Sequence, residues 1–464
     1  MAILATLVVI SSLLIPFCAA TAPEVLSLPG YQGKISFRHY SGYFNVTNTH
    51  RLHYWFVESQ NKPSTDPVLL WMNGGPGCSS LDGLMNELGP FKMQNDGRTV
   101  KPNQYSWNLF SNILFLEAPA GVGFSYSTDG NVATNDDQTA AENYEAVKQF
   151  FTAFPKFKKN DFYIGGESYG GVYVPTLAVN VHRGQKQYPI NLKGVYIGNG
   201  FLNKTLNTNT MIHFAYNHGI ISEHDYDFME RTCCGGCTDF CDFHKARGGK
   251  CEEIVQGTIK FMWAGGLNPY DLYRDCAYPS NSTRHRVMMS GLAPDYVKRH
   301  YRSILRDEAH AFNRPSPGPP CMDDTSIEAY FHQSSVRQAL HIPSQVGRWS
   351  MCSEAVEQHY TMQYDGMKPQ VLELLNAGKR VLIYSGDTDM ACNFLLGTRF
   401  ALELGIEFDE TKKPFHHNKQ VAGFVTKYKG LDFVTIKGAG HMVPQWRPAA
   451  AFHMMYRYVN NQPY

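Results

Sequence analysis

No surplus of either charge marks this 464-residue chain: 42 Lys and Arg stand against 41 Asp and Glu, a formal net charge of +1. There is no basic stripe and no acidic tail, so neither a nucleic-acid partner nor a solvating arm is expected. Internal repeats and low-complexity tracts are missing as well, which argues against a solenoid or a long linker. Beyond the first twenty residues no apolar run reaches membrane-spanning length. A Lys-Asp-Glu-Leu-type retention tail is absent too. Aromatics, by contrast, are plentiful, with 27 Tyr and 28 Phe to divide between a large core and a substrate cleft.

The first twenty residues read differently. The apolar run Ala5-Thr-Leu-Val-Val-Ile is followed by Leu13-Leu-Ile-Pro-Phe and ends in Cys18-Ala19-Ala20, small residues suited to signal peptidase. No Lys or Arg precedes it, and Ser11, Ser12 and Pro16 interrupt it, so it is a poor membrane anchor. The chain is therefore expected to enter the secretory pathway through a signal peptide over 1–20 and to leave it soluble. Sequons at Asn45, Asn203 and Asn281 fit that route as glycosylation sites. So do the 11 cysteines, of which Cys18 leaves with the signal.

Two strand-like stretches open the mature region, Lys34-Ile-Ser-Phe-Arg-His-Tyr and Leu52-His-Tyr-Trp-Phe-Val. Then short apolar runs alternate with helical patterns: Val68-Leu-Leu-Trp-Met, Ile113-Leu-Phe-Leu, Phe162-Tyr-Ile, Val195-Tyr-Ile, Val381-Leu-Ile-Tyr and Phe433-Val-Thr-Ile. Runs apolar at every position are what strands buried on both faces look like. The alternation stops over about 203–321, which holds most of the cysteines and a Pro-rich exit, and resumes near Val336. The expected architecture is an α/β sheet, mostly parallel, in two parts (21–202 and 322–464) with a cap inserted over 203–321. Such insertions tend to overhang the carboxyl ends of the strands, where ligands bind.

Gly166-Glu-Ser168-Tyr-Gly170 matches the G-x-S-x-G elbow, in which a tight strand-to-helix turn exposes a nucleophilic Ser. It follows an apolar run and precedes a helical pattern over 171–181, with Pro175 tolerable only near the first turn. A Ser needs a base, and the base an orienting acid, in the chain order Ser, acid, His. Tyr384-Ser-Gly-Asp387-Thr-Asp389 and Gly438-Ala-Gly-His441 both follow strand-like runs. The pattern leaves Asp387 and Asp389 as alternatives. Asn73-Gly-Gly-Pro-Gly77 stands after another run, where Gly lets backbone N–H groups approach a developing oxyanion.

These motifs, with Trp71-Met-Asn-Gly-Gly-Pro-Gly-Cys-Ser-Ser80, Glu117-Ala-Pro-Ala-Gly-Val-Gly-Phe-Ser-Tyr126 and Gly438-Ala-Gly-His-Met-Val-Pro444, resemble the serine carboxypeptidase family from about Leu28 to the C-terminus. The resemblance implies the α/β-hydrolase fold and release of C-terminal residues from peptides with a free carboxylate at acidic pH. It implies Ser168 as nucleophile, Asp389 as acid and His441 as base, with an oxyanion hole at Gly75 and Tyr169. Asn73, Glu87 and Glu167 would bind the substrate carboxylate, with Trp71 nearby. Such a pocket works only if the Glu pair holds protons, since two close carboxylates do not both ionise cheaply. No cofactor and no metal are expected. Family members also act as acyltransferases, and one stabilises lysosomal glycosidases. A lysosomal or secreted destination, glycosidase partners and a homodimer are thus expected alternatives and additions. Cleavage of the basic stretch 299–314 into two disulfide-linked chains is a further expectation.

Cysteines 233, 234, 237, 241 and 251 cluster near His244, where disulfides are favoured over zinc in a secreted chain. The resemblance implies the pairs Cys78–Cys352, Cys276–Cys321 and Cys233–Cys251, with Cys392 a free thiol. One of Cys234, Cys237 and Cys241 is then left over.

Overall fold

The computed structural model describes residues 22–276 and 321–464. The signal-peptide reading, the Asn281 sequon and the basic stretch 299–314 lie outside them.

The described residues build an 11-stranded sheet. Its chief strands are β1 (His39–Asn45), β2 (His50–Val57), β3 (Val68–Met72), β4 (Asn112–Leu116), β5 (Phe162–Glu167), β6 (Leu192–Gly198), β7 (Arg380–Gly386), β8 (Phe408–His417), β9 (Gln420–Tyr428) and β10 (Leu431–Ile436). They lie in the order β1-β2-β4-β3-β5-β6-β7-β10-β9-β8. From β4 to β10 every neighbour is parallel, and antiparallel ribbons close both edges.

All five residues of β3 are buried, and their alternation sorts them. Val68, Leu70 and Met72 join the apolar layer on one face, Leu69 and Trp71 that on the other. Helix α1 (Asp136–Ala153) contributes Val147, Phe150 and Phe151 to the first layer. Apolar spacing predicts a helix from Thr139 to Phe154, and the helix starts three residues earlier. Asn135 caps it by accepting from Gln138 N, and Asp136 and Asp137 complement the helix dipole. Helix α2 (Gly170–Arg183) lies on the same face. Its Pro175 falls in the second turn, deeper than expected, so the Gly171 carbonyl loses its helical partner.

Two other expectations shift. The first strand begins at His39, not Lys34, because pairing starts at His39 opposite Val57 and the preceding alternation has no partner strand. After the insertion the sheet resumes only at Arg380, since the stretch around Val336 is a short helix, Ser334–Ala339. The β8–β9 hairpin was not visible in the pattern: β8 is exposed along most of its length, so burial left no apolar signature.

Between Gly198 and Arg380 the described residues leave the sheet and form helices, among them α3 (Lys204–Asn217) and α4 (Gly249–Ala264). Asn203 is half-buried and its Oδ1 caps α3 at Leu206 N, 2.9 Å, whereas Asn45 is exposed at the end of β1.

Candidate active site

Adjacent parallel strands deliver the polar residues of one site at their carboxyl ends. The loop after β3 brings Asn73 to Gly77, β5 ends at Glu167 and is followed by Ser168, β6 is followed by Asn199, β7 by Asp387 and Asp389, and β10 by His441. A crevice beyond the carboxyl ends of such strands is where this class of sheet binds ligands. One cavity there is lined by Asn73, Gly75, Glu167, Ser168, Tyr270 and His441.

Ser168 adopts φ +63°, the left-handed region that costs a non-Gly residue about 1–3 kcal/mol. Backbone bonds hold it there. Its N–H donates to Gly198 O at 3.0 Å, and its carbonyl accepts from Gly171 N at 2.9 Å and Phe201 N at 2.8 Å. The elbow glycine Gly166 is required by packing, because a Cβ there would lie 2.4 Å from Met72 O. Gly74 is tighter still: a Cβ would lie 2.3 Å from Tyr169 N and 2.7 Å from Ser168 Cβ. The backbone at Gly74 therefore runs directly against the Ser168 turn.

His441 Nδ1 lies 2.8 Å from Asp389 Oδ2, both groups buried. His441 Nε2 is buried and has no hydrogen-bond partner among the described residues. Asp387 points to a different task, accepting from Gly438 N at 2.6 Å. The loops are strapped together by a segment from the insertion. Pro269 O accepts from Met390 N and Ala391 N, both at 3.0 Å, and Tyr270 O accepts from His441 N at 2.7 Å.

Beside Ser168 lies a buried acidic pair. Asn73 Nδ2 donates to Glu87 Oε1 and to Glu167 Oε1, each at 2.9 Å, while Trp71 Nε1 donates to Asn73 Oδ1 at 2.8 Å. Among the described residues Glu87 Oε2 and Glu167 Oε2 have no partner outside the pair. Burial, and then the nearby Asp82 charge, push Glu87 up to about 8. Burial, and then the charge of Glu87, hold Glu167 well above the carboxylate range. Asp82, which also lines the cavity, is pushed up to about 6 by burial.

Sequence reasoning missed three features. Asn199 donates to Asp389 Oδ2 at 2.8 Å, and its one signal was an Asn between Gly198 and Gly200 after a strand run. Tyr270, inside the insertion, reaches the cavity through the strap. Glu117 anchors a fully buried network, pairing with His53 Nδ1 at 2.8 Å and accepting from Trp349 Nε1, Phe124 N and Ser79 Oγ. That network ties the glycine loop to β2.

Disulfides join Cys78–Cys352, Cys233–Cys251, Cys234–Cys241 and Cys276–Cys321. The leftover thiol of the cluster is Cys237, and Cys392 is free and buried.

The fold has a solved counterpart in Kex1, a prohormone-processing carboxypeptidase from Saccharomyces cerevisiae, with a TM-score of 0.72 over 94% of each chain at 20% identity. In sequence the chain is 41% identical over 455 residues to the lysosomal protective protein of Mus musculus, covering 95% of this chain and 94% of that one. It is 39% identical over 460 residues to serine carboxypeptidase ctsa-4.1 of Caenorhabditis elegans, covering 97% and 96%. The family model described as serine carboxypeptidase matches residues 29–461. With motif, fold and full-length kinship in agreement, the chain belongs to the serine carboxypeptidase family.

Proposed function

We propose that this protein is a carboxypeptidase that releases C-terminal residues at acidic pH through an acyl-enzyme on Ser168. The observation that carries the reading is the shared cavity, in which Ser168 and His441 stand next to the buried Glu pair. Ser168 Oγ attacks the scissile carbonyl while His441 Nε2 takes its proton. The C–N bond breaks, the proton passes to the leaving amine, and water then hydrolyses the ester by the same relay. Asp389 orients the imidazole. The amides of Gly75 and Tyr169 receive the oxyanion.

The terminal carboxylate of the substrate binds at Asn73, Glu87 and Glu167. A protonated Glu pair donates to it, and an ionised pair repels it. The raised affinity of both groups for protons supports acidic operation. A panel of peptides with free and amidated C-termini, assayed for C-terminal release across pH, tests the reading. Release that is equal for both termini at every pH would overturn it.

Four disulfides and the name of the mouse relative favour a lysosomal or secreted location reached through a signal peptide. That name also favours a second reading, a protective binding role independent of the triad. Co-purification of lysosomal glycosidases with Ser168→Ala protein tests it, and no enrichment over a control would overturn it.

A further inference from the structure

The residue that follows β6 has no part in the chemistry above, yet every polar atom of its side chain is committed to the acid loop. Asn199 is fully buried with φ +40°, a conformation that Asn tolerates better than other side chains of its size. Its N–H donates to Tyr384 O at 2.8 Å. Its Oδ1 accepts from Gly386 N at 3.0 Å. Its Nδ2 donates to Asp389 Oδ2 at 2.8 Å and to Cys392 O at 3.4 Å. The amide orientation follows from these partners, since a backbone N–H needs an acceptor and a carboxylate a donor.

We infer that Asn199 is a positioning residue for the Ser168 reaction, holding Asp389 in register with His441 and sharing the charge of the oxygen that faces the imidazole. The inference rests on the assignment of Ser168, Asp389 and His441 given above. Asp389 Oδ2 receives three donors: Asn199 Nδ2, His441 Nδ1 at 2.8 Å and Cys392 N at 3.1 Å. The other oxygen accepts from Ala391 N at 2.9 Å. Without the Asn199 donor, more of the Oδ2 charge falls on His441. The imidazolium is then held more tightly, and a catalyst that needs neutral imidazole loses activity first at acidic pH.

The side chain needed here must offer both a donor and an acceptor and accept a left-handed backbone. Asp supplies the shape and the acceptor but donates only when protonated. The ionisable groups facing the contact are His441, the Cys392 thiol, on which the charges of Asp389 and Glu167 both act, and Tyr270, whose ring packs 4.9 Å from that of His441. All remain in place in the variants below.

Asn199→Ala and Asn199→Asp, made in the full chain, separate this role from a merely structural one. The readout is kcat and KM against pH on a free-acid peptide, with thermal melting as a check on folding. Asn199→Ala is expected to lose about 10- to 100-fold in kcat, as for one hydrogen bond to a charged group, with KM held and the acid limb of kcat/KM moved to higher pH. Asn199→Asp keeps the shape. It is expected to approach wild type at low pH, where the new pair retains a proton and donates, and to fall away as pH rises. A loss of kcat that only tracks lower melting, with the acid limb unmoved, overturns the inference. So does Asn199→Asp activity that rises relative to wild type with pH. An active Asp389→Ala protein would instead remove the triad assignment, and the inference with it.

Discussion

The carboxyl groups of Glu87 and Glu167 meet at a single donor, Asn73 Nδ2, which lies 2.9 Å from one oxygen of each. Neither remaining oxygen has a partner outside the pair among the described residues. The pair is buried and its members repel each other when ionised, so it keeps a proton at pH values where a solvated Glu would not. In kcat/KM the alkaline limb should therefore be steep for free-acid peptides and shallower for amidated ones. Glu87→Gln should recover part of the alkaline loss, because an amide stays neutral and still donates. Identical alkaline limbs for the two substrates, unchanged in the variant, would show that the pair does not sense the substrate charge.

The same proton affects stability. The folded affinity of Glu87 for protons lies above its unfolded value, so between about pH 4.5 and 8 the native state binds the extra proton. Stability is then lost as pH rises through that window, by up to about 1.4 kcal/mol per pH unit for one group. Denaturant midpoints measured from pH 4.5 to 8 should fall, and the fall should be smaller in Glu87→Gln. A slope left unchanged by the substitution would assign the effect elsewhere.

Ser168→Ala should fold as the native protein does, since the backbone bonds to Gly198, Gly171 and Phe201 hold the turn without the hydroxyl. Its peptidase rate should drop by at least about 1,000-fold, because the acyl-enzyme cannot form. Retention of most activity in a protein with wild-type melting would remove Ser168 from the mechanism.

Glu117 Oε2 lies 2.8 Å from His53 Nδ1 with both side chains fully buried, and Glu117 also accepts from Ser79, Phe124 and Trp349. Removing the carboxylate leaves the buried donors of Ser79, Phe124 and Trp349 unsatisfied, so Glu117→Ala should cost about 3 kcal/mol or more. Chemical denaturation measures this directly. A loss below about 1 kcal/mol would mean that water repairs the network.

Two thiols remain in the described residues, and their surroundings differ. Cys237 is partly exposed, whereas Cys392 is buried and its thiol is pushed well up by burial and by the Asp389 charge. Alkylation of the native protein should label Cys237 and leave Cys392 until denaturant is added, as peptide mass mapping would show. Equal labelling of the two without denaturant would contradict the buried placement of Cys392.

The buried strands β3, β5 and β7 were legible in the sequence because positions covered on both faces favour apolar side chains, which leaves the continuous runs Val68–Met72, Phe162–Ile164 and Val381–Tyr384. The loops after them were legible for a related reason. Gly74 and Gly166 lie where a Cβ would strike neighbouring backbone, so close approach is written into residue type. Ser168 and His441 stood out through such loops, and their meeting in one cavity needed only the parallel order of the strands. The choice between Asp387 and Asp389 could not be made from spacing. It depends on which carboxylate the loop turns toward His441, and tertiary contacts set that: Gly438 N takes Asp387, while Asn199, Ala391 and Cys392 hold Asp389. The exposed hairpin from Phe408 to Tyr428 and the strap through Tyr270 were likewise decided by structure alone. A strand with little burial leaves no apolar period, and a hydrogen bond made through a backbone carbonyl places no demand on the side chain that carries it.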